Sequence, residues 1–239
     1  MNDYVDLHTH TIASGHAYST IEAMIKAAEQ KGIRLFGITE HAPKMPGTCS
    51  ELYFNNLRVH GEMYTLFGAE LNIMDMEGHV DLPERTLKQM DLCVASMHGP
   101  CFHPGTIEEN TKTYLNVMKN PYVNIIGHPD DSYYPVDYRA LVEGAKEHHV
   151  LLEVNNGSLT PGGFRQNTKE NSCKMLELCK EYKVPVIMDS DAHVDTAVGN
   201  HQYPLEVIQM VDFPEELVVN TNVELAKSFL NYFKSPEHL

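Results

Sequence analysis

Tyr4-Val5-Asp6-Leu7-His8-Thr9-His10 is the stretch from which the rest of the chain can be read. Tyr4 to Leu7 has the character of a short strand, and it carries two histidines off its end. In extended backbone, residues i and i+2 point the same way, so His8 and His10 aim two imidazoles at one point. Two neutral imidazoles so aimed are half of a transition-metal site. His-x-His also arises by chance on exposed strands, so its weight depends on what the other strand ends carry.

Working outward, Ser19-Thr20-Ile21-Glu22 reads as a capping box that opens a helix. Ile21, Met24, Ile25 and Ala28 lie on one face of it, and Gly32 stops it. A strand from Arg34 to Ile38 then leads into Thr39-Glu40-His41. The same unit recurs. Met63 to Ile73 reads as a strand holding Glu70, Asp91 to Ser96 leads to His98, and Tyr122 to Ile126 leads to His128. Val150 to Val154 leads to Asn155-Asn156-Gly157, and Val184 to Met188 leads to Asp191-Ala192-His193. Helices are read near 83–90, 106–119, 137–148, 168–182, 203–211 and 223–233, and 43–62 reads as a loop with a short helix. Seven nearly continuous apolar strands alternating with helices imply an α/β fold with a parallel sheet covered by helices. So many units in a row favour a TIM-like barrel over an open doubly wound sheet. With no linker or charge block in it, the chain reads as a single domain over 1–239.

Net charge is −15, from 33 acidic and 18 basic residues, which argues against nucleic acid or an anionic membrane as partner. Five cysteines without a Cys-x-x-Cys fit a reducing cytoplasm better than a disulfide framework. No leader and no apolar run of about 18 residues is read, so a cytoplasmic protein is expected. Histidine stands out, with 14 copies.

Position gives those histidines meaning. His8, His10, His41, Glu70, His98, His128, Asp191 and His193 all fall at or near the C-terminal end of a strand, drawn from six of the seven strands. In a parallel barrel those ends share one face, where active sites are built. Imidazoles and carboxylates without thiolate suit Zn²⁺, Mn²⁺ or Fe²⁺. They outnumber what one four-coordinate ion uses, so at least two ions are implied, and His16 brings the set to nine, enough for three. Glu70 is the natural bridge, because a carboxylate has two oxygens to share.

These motifs resemble those of the PHP (polymerase and histidinol phosphatase) superfamily. The Gly68-Ala69-Glu70-Leu71-Asn72 and Met97-His98-Gly99-Pro100 contexts are most similar to its YcdX-like bacterial phosphatase branch, over roughly residues 4–200. The resemblance implies a distorted (β/α)7 barrel, the PHP fold, and a trinuclear site. It implies that His8, His10, Glu70 and Asp191 hold one ion; Glu70, His98 and His128 a second; and His16, His41 and His193 a third. Zn²⁺ is the first expectation for all three, with Mn²⁺ or Fe²⁺ as alternatives. The expected reaction is hydrolysis of a small phosphomonoester by a metal-bridging hydroxide, with Glu70 as bridge and Asp191 or His193 steering a proton.

Arg165, in the loop Pro161-Gly162-Gly163-Phe164-Arg165, is the candidate grip on phosphate, and Asn155 and Asn156 are candidate substrate contacts. Asp130 and Asp131 read as supports rather than ligands, His103 and His201 as bystanders, and Glu40 as pointing away from His41. Three alternatives are carried: a histidinol-phosphate phosphatase, an amidohydrolase-type metallohydrolase and a non-catalytic metal-binding regulatory module. An amidohydrolase typically bridges its ions with a modified lysine ending strand four, and Val94-Ala95-Ser96-Met97-His98 has none. A homo-oligomer is left open.

Overall fold

The computed structural model describes residues 1–56 and 64–234. Seven strands run in parallel and pair in chain order: β1 (Val5–Asp6), β2 (Leu35–His41), β3 (Tyr64–Asn72), β4 (Cys93–Ser96), β5 (Ile125–Ile126), β6 (Leu151–Asn155) and β7 (Val186–Asp189). Helices α1 (Ile21–Gln30), α2 (Glu51–Asn56), α3 (Glu84–Leu87), α4 (Ile107–Val117), α5 (Tyr138–His148), α6 (Asn156–Leu159), α7 (Thr168–Tyr182), α8 (Gln202–Met210), α9 (Val223–Lys227) and α10 (Asn231–Lys234) fill the connections. This is the expected barrel of seven βα units. Of the loop with a short helix expected over 43–62, residues 43–50 are the loop and α2 the helix, and 57–62 lie outside the described residues.

Side-chain parity explains why the barrel has an apolar base and a polar rim. Along a strand, alternate residues face opposite sides. Leu35, Leu66, Leu92, Val94, Ile125, Leu151 and Ile187 share one buried apolar cluster with Val219, Val223, Phe229 and Leu230, so the base of the barrel is packed and closed by the C-terminal segment. The intervening Ala69, Leu71, Cys93, Ala95, Ile126, Leu152, Val154, Val186 and Met188 belong to the cluster beneath the helices. Followed upward on the inner face, Leu66 leads to Glu70, Leu92 to His98, and Leu151 to Glu153 and Asn155. Gly68 sits on that inner face, where a Cβ would collide with the Leu92 carbonyl, so the missing side chain lets β3 and β4 close up.

β1 and β7 close the ring without a ladder. One parallel bridge joins Thr9 to Ala192, and the His10 N–H donates to the Ala192 carbonyl at 2.8 Å. Side chains span the rest. Leu7 N–H donates to Asp189 Oδ1 at 2.6 Å, and Ser190 N–H to Asp6 Oδ1 at 3.0 Å. Lower down, Asn220 donates to the carbonyls of Val5 and Met188, both at 2.7 Å, and accepts from Met188 N–H at 2.8 Å. Asn220 is fully buried. Asn220→Ala therefore orphans three buried backbone groups and is expected to cost about 3 kcal/mol, or about 6–12 °C in Tm by calorimetry.

Two local expectations are corrected. The capping box at Thr106 and Glu109 forms in full, but at α1 only Thr20 caps, and the Ser19 hydroxyl instead accepts from Asp195 N–H. The helix expected over 223–233 breaks between α9 and α10. There Asn124 donates to the Phe229 carbonyl at 2.8 Å, a tertiary partner taking the place of the helical one.

Candidate metal centre

The rim is built around Glu70. The pairing of β2 with β3 sets His41 directly beside it. Its Oε1 lies 3.4 Å from His8 Nε2, 3.1 Å from His98 Nε2 and 3.0 Å from His128 Nε2. Its Oε2 lies 2.6 Å from His41 Nδ1 and 3.6 Å from His10 Nε2. One carboxylate thus turns each oxygen to a different group of imidazoles. Asp191, at φ +53°, brings Oδ1 to 3.3 Å from His10 Nε2 and 3.7 Å from His8 Nε2. The rings of His10 and His193 stand 4.4 Å apart, and those of His16 and His193 4.9 Å apart. His16 Nε2 comes to 3.1 Å from His41 Nε2.

Three groups place their ligating atoms within 4.8 Å of one another: His8, His10 and Asp191; His41, Glu70 and His98; and His10, His41 and His193. His10 takes the place that the resemblance gives to His16 in the last of these. All nine residues singled out in the sequence nonetheless meet at one mouth. His16 is held there by its loop. Thr11 and Ser14 bond to the buried carboxylate of Glu40, and Tyr18 N–H donates to the His193 carbonyl at 2.8 Å. Glu40 faces away from the cluster, as the extended backbone requires.

The imidazole nitrogens on the far side of the cluster are held by partners that orient the rings. His8 Nδ1 lies 2.7 Å from Glu153 Oε1, His98 Nδ1 2.7 Å from Asn72 Oδ1, His10 Nδ1 3.2 Å from Ser14 Oγ and His193 Nδ1 2.8 Å from the Asp191 carbonyl. Beyond the His128–Glu70 and His16–His41 contacts, the inner atoms lack such partners. Nε2 of His8, His10 and His98, Nδ1 of His41 and Oε2 of Glu70 are all buried without a hydrogen bond, which is how a ligand set without its ion looks.

Charge agrees with this. Burial, reinforced by neighbouring imidazoles, holds His10 well below the usual histidine range, and burial lowers His98 to about 4. Both rings are therefore neutral, the form that ligates. At Glu70 and Asp191 burial works against ionisation, but the surrounding imidazoles outweigh it and keep both carboxyls well below their ordinary values. At His8 burial is in turn outweighed by Glu153, Glu70 and Asp191, which raise it well above.

The other candidates separate. Arg165 Nη1 lies 3.8 Å from Asp191 Oδ2. Asn155 reaches Asp191 Oδ2 with its Nδ2 at 3.3 Å while its Oδ1 caps α6, so it braces a carboxylate. Asn156 does not join the site. As the first residue of α6 it turns toward α8, where its Oδ1 accepts from Tyr203 N–H. Asp130 is tied to Ser158 and Ser172, and Asp131 accepts from the N–H groups of Tyr133 and Gln166. Glu153 is the residue sequence reasoning passed over. It braces His8 and also accepts from His128 N–H at 2.5 Å, and a lone acid in Leu151-Leu152-Glu153-Val154 was its signal.

A parallel barrel with imidazoles and carboxylates gathered at one rim defines the class: a scaffold shaped to hold several metal ions. The model of the PHP domain matches residues 6–225, and the chain belongs to that family. It is 43% identical over 239 residues to a protein of Clostridium novyi named "Probable phosphatase", covering 98% of this chain and 96% of that one. A Thermoanaerobacter protein of the same name is 45% identical over 231 residues, covering 95% and 94%. Among solved structures, histidinol phosphate phosphatase from Lactococcus lactis, complexed with zinc, L-histidinol and phosphate, superposes with a TM-score of 0.58. It is 15% identical and covers 89% of this chain and 95% of that one, a likeness of fold. Among the described residues no helix is long and apolar enough to cross a membrane.

Proposed function

We propose that this protein is a metal-dependent phosphatase that hydrolyses a small phosphomonoester at a site for three divalent ions, zinc first among them. The observation that carries the reading is Glu70, one carboxylate facing five imidazoles whose inner nitrogens include four buried without a hydrogen-bond partner. His8, His10, Glu70 and Asp191 would hold one ion, Glu70, His98 and His128 a second, and His41 and His193 with His16 a third. When bound, such ions supply the acidified water that attacks phosphorus and the positive charge its oxygens call for.

The chain's own residues supply position. The described residues lining the cavity include no serine, threonine or cysteine, so no aliphatic hydroxyl or thiol is offered there as nucleophile, and the Tyr134 hydroxyl donates to the Phe102 carbonyl. Asp191, held ionised, accepts protons rather than donating them. Arg165 is the cavity's guanidinium, and a phosphoryl oxygen entering beside Asp191 meets its planar fork. Arg165→Ala is expected to raise KM for a phosphomonoester about 10–100-fold with a smaller change in kcat, the loss of one charge-assisted hydrogen bond. The reading as a whole is tested by counting metal per chain and measuring turnover on a panel of phosphomonoesters. Fewer than two tightly bound transition metals, or full metal without turnover, overturns it.

A further inference from the structure

The cavity over the metal centre encloses about 830 Å³. Cavities of about 300–1,000 Å³ take whole drug-sized ligands, so this one has room for far more than a phosphoryl group. Besides the proposed metal ligands, its wall has an apolar and aromatic part. Met45, Met97, Pro100, Tyr133, Tyr134 and Phe164 line it there. Arg165 marks the junction. Its guanidinium lies beside Asp191 on one side and 5.2 Å from the centre of the Phe164 ring on the other. Phe164 is 86% exposed and Tyr133 49% exposed, large rings that the fold itself does not cover. Imidazoles aside, Arg165 is the one cationic side chain among the described residues lining the cavity, and Asp131 adds a negative charge.

We propose that the leaving group of the substrate is an uncharged aromatic, seated against Phe164 and Tyr133 while its phosphoryl group occupies the metal centre. This deepens the phosphatase reading and rests on it. Substrates bearing a second phosphate are disfavoured, because Arg165 serves the reacting phosphoryl group and no other lysine or arginine lines the cavity among the described residues. Phe164 follows Gly162 and Gly163, and its loop is pinned just beyond the ring. There Gln166 N–H donates to Asp131 Oδ1 and Ser132 N–H donates to the Gln166 carbonyl. The ring is thus carried on a short tether next to Arg165, the residue proposed to meet phosphate.

The test uses ligands that cannot turn over. Calorimetric titration of the metal-loaded protein with benzylphosphonate and with methylphosphonate should show the benzyl compound binding about tenfold tighter, the contribution of one well-placed ring contact. Phe164→Ala combined with Tyr133→Ala should bring that ratio to about threefold or less; both side chains are exposed enough for the fold to persist. Equal affinity for the two phosphonates in the unmodified protein, or a ratio untouched by the double substitution, overturns the proposal. Hydrolysis of benzyl and ethyl phosphate, whose leaving alcohols are of similar acidity, is measured in parallel. Turnover without aromatic preference overturns this inference and spares the phosphatase reading. A tenfold preference in binding with no turnover of either ester overturns the phosphatase reading while the ring contact stands.

Discussion

Glu70→Gln is expected to strip at least one ion from each chain and to lower kcat/KM for phosphomonoesters about a thousandfold or more. The substitution keeps the volume and removes the charge. Glu70 lies within 3.6 Å of an inner nitrogen of His8, His10, His41, His98 and His128. An amide presents one weak acceptor and one donor, so it cannot share two oxygens between two cations. The donor end would also point at nitrogens that must stay unprotonated to ligate. Several kcal/mol of transition-state stabilisation depend on the ions, which sets the size of the effect. Metal analysis of the purified variant together with steady-state kinetics checks it. Full metal content with near-normal kcat/KM would show that the carboxylate does not bridge.

The second large effect lies behind the rim, at His201. Its Nδ1 is 2.5 Å from Asp3 Oδ2 and its Nε2 is 3.6 Å from Asp6 Oδ1, and the ring is 2% exposed. Burial alone would push its pKa down, but the two carboxylates outweigh burial and raise it from 6.5 to about 10. Because the folded value is the higher one, the stabilisation is fully present below about pH 6.5 and is lost as pH rises toward 10. Linkage over that span amounts to about 5 kcal/mol. Urea midpoints should therefore fall steeply between pH 7 and pH 10, and His201→Gln should flatten the slope while lowering stability at neutral pH. An imidazole seen by NMR to lose its proton near pH 6.5 would contradict this account.

His201 also shows where reading from sequence stops. Strand ends are visible in local apolar runs, so His8, His41, His98, His128 and Asp191 announce themselves by following one. What supports them depends on pairing between distant segments. Asn72 meets His98, Glu153 meets His8, and Asp6 meets both His201 and Ser190, all through the curvature of the barrel. A bystander by spacing thus proves to be a buried ion pair. Asn156 fails in the opposite sense. Its position past β6 is right for the rim, but the turn into α6 swings its side chain to α8, a rotation no local pattern displays. The broken C-terminal helix has the same origin, since the partner of the Phe229 carbonyl is Asn124, more than a hundred residues earlier.

The seam between β1 and β7 bears on how the molecule comes into being. Leu7 meets Asp189 across 182 positions, and Asp6 meets Ser190 across 184. His8 and His10 thus leave the ribosome before β2 to β7 exist, and Asp191 follows only after all of them have been made. A nascent chain cannot assemble the His8, His10 and Asp191 group, however much cation surrounds it, until that late arrival docks. Contacts this remote are slow to form. Truncations ending before β7 should emerge unable to load metal there.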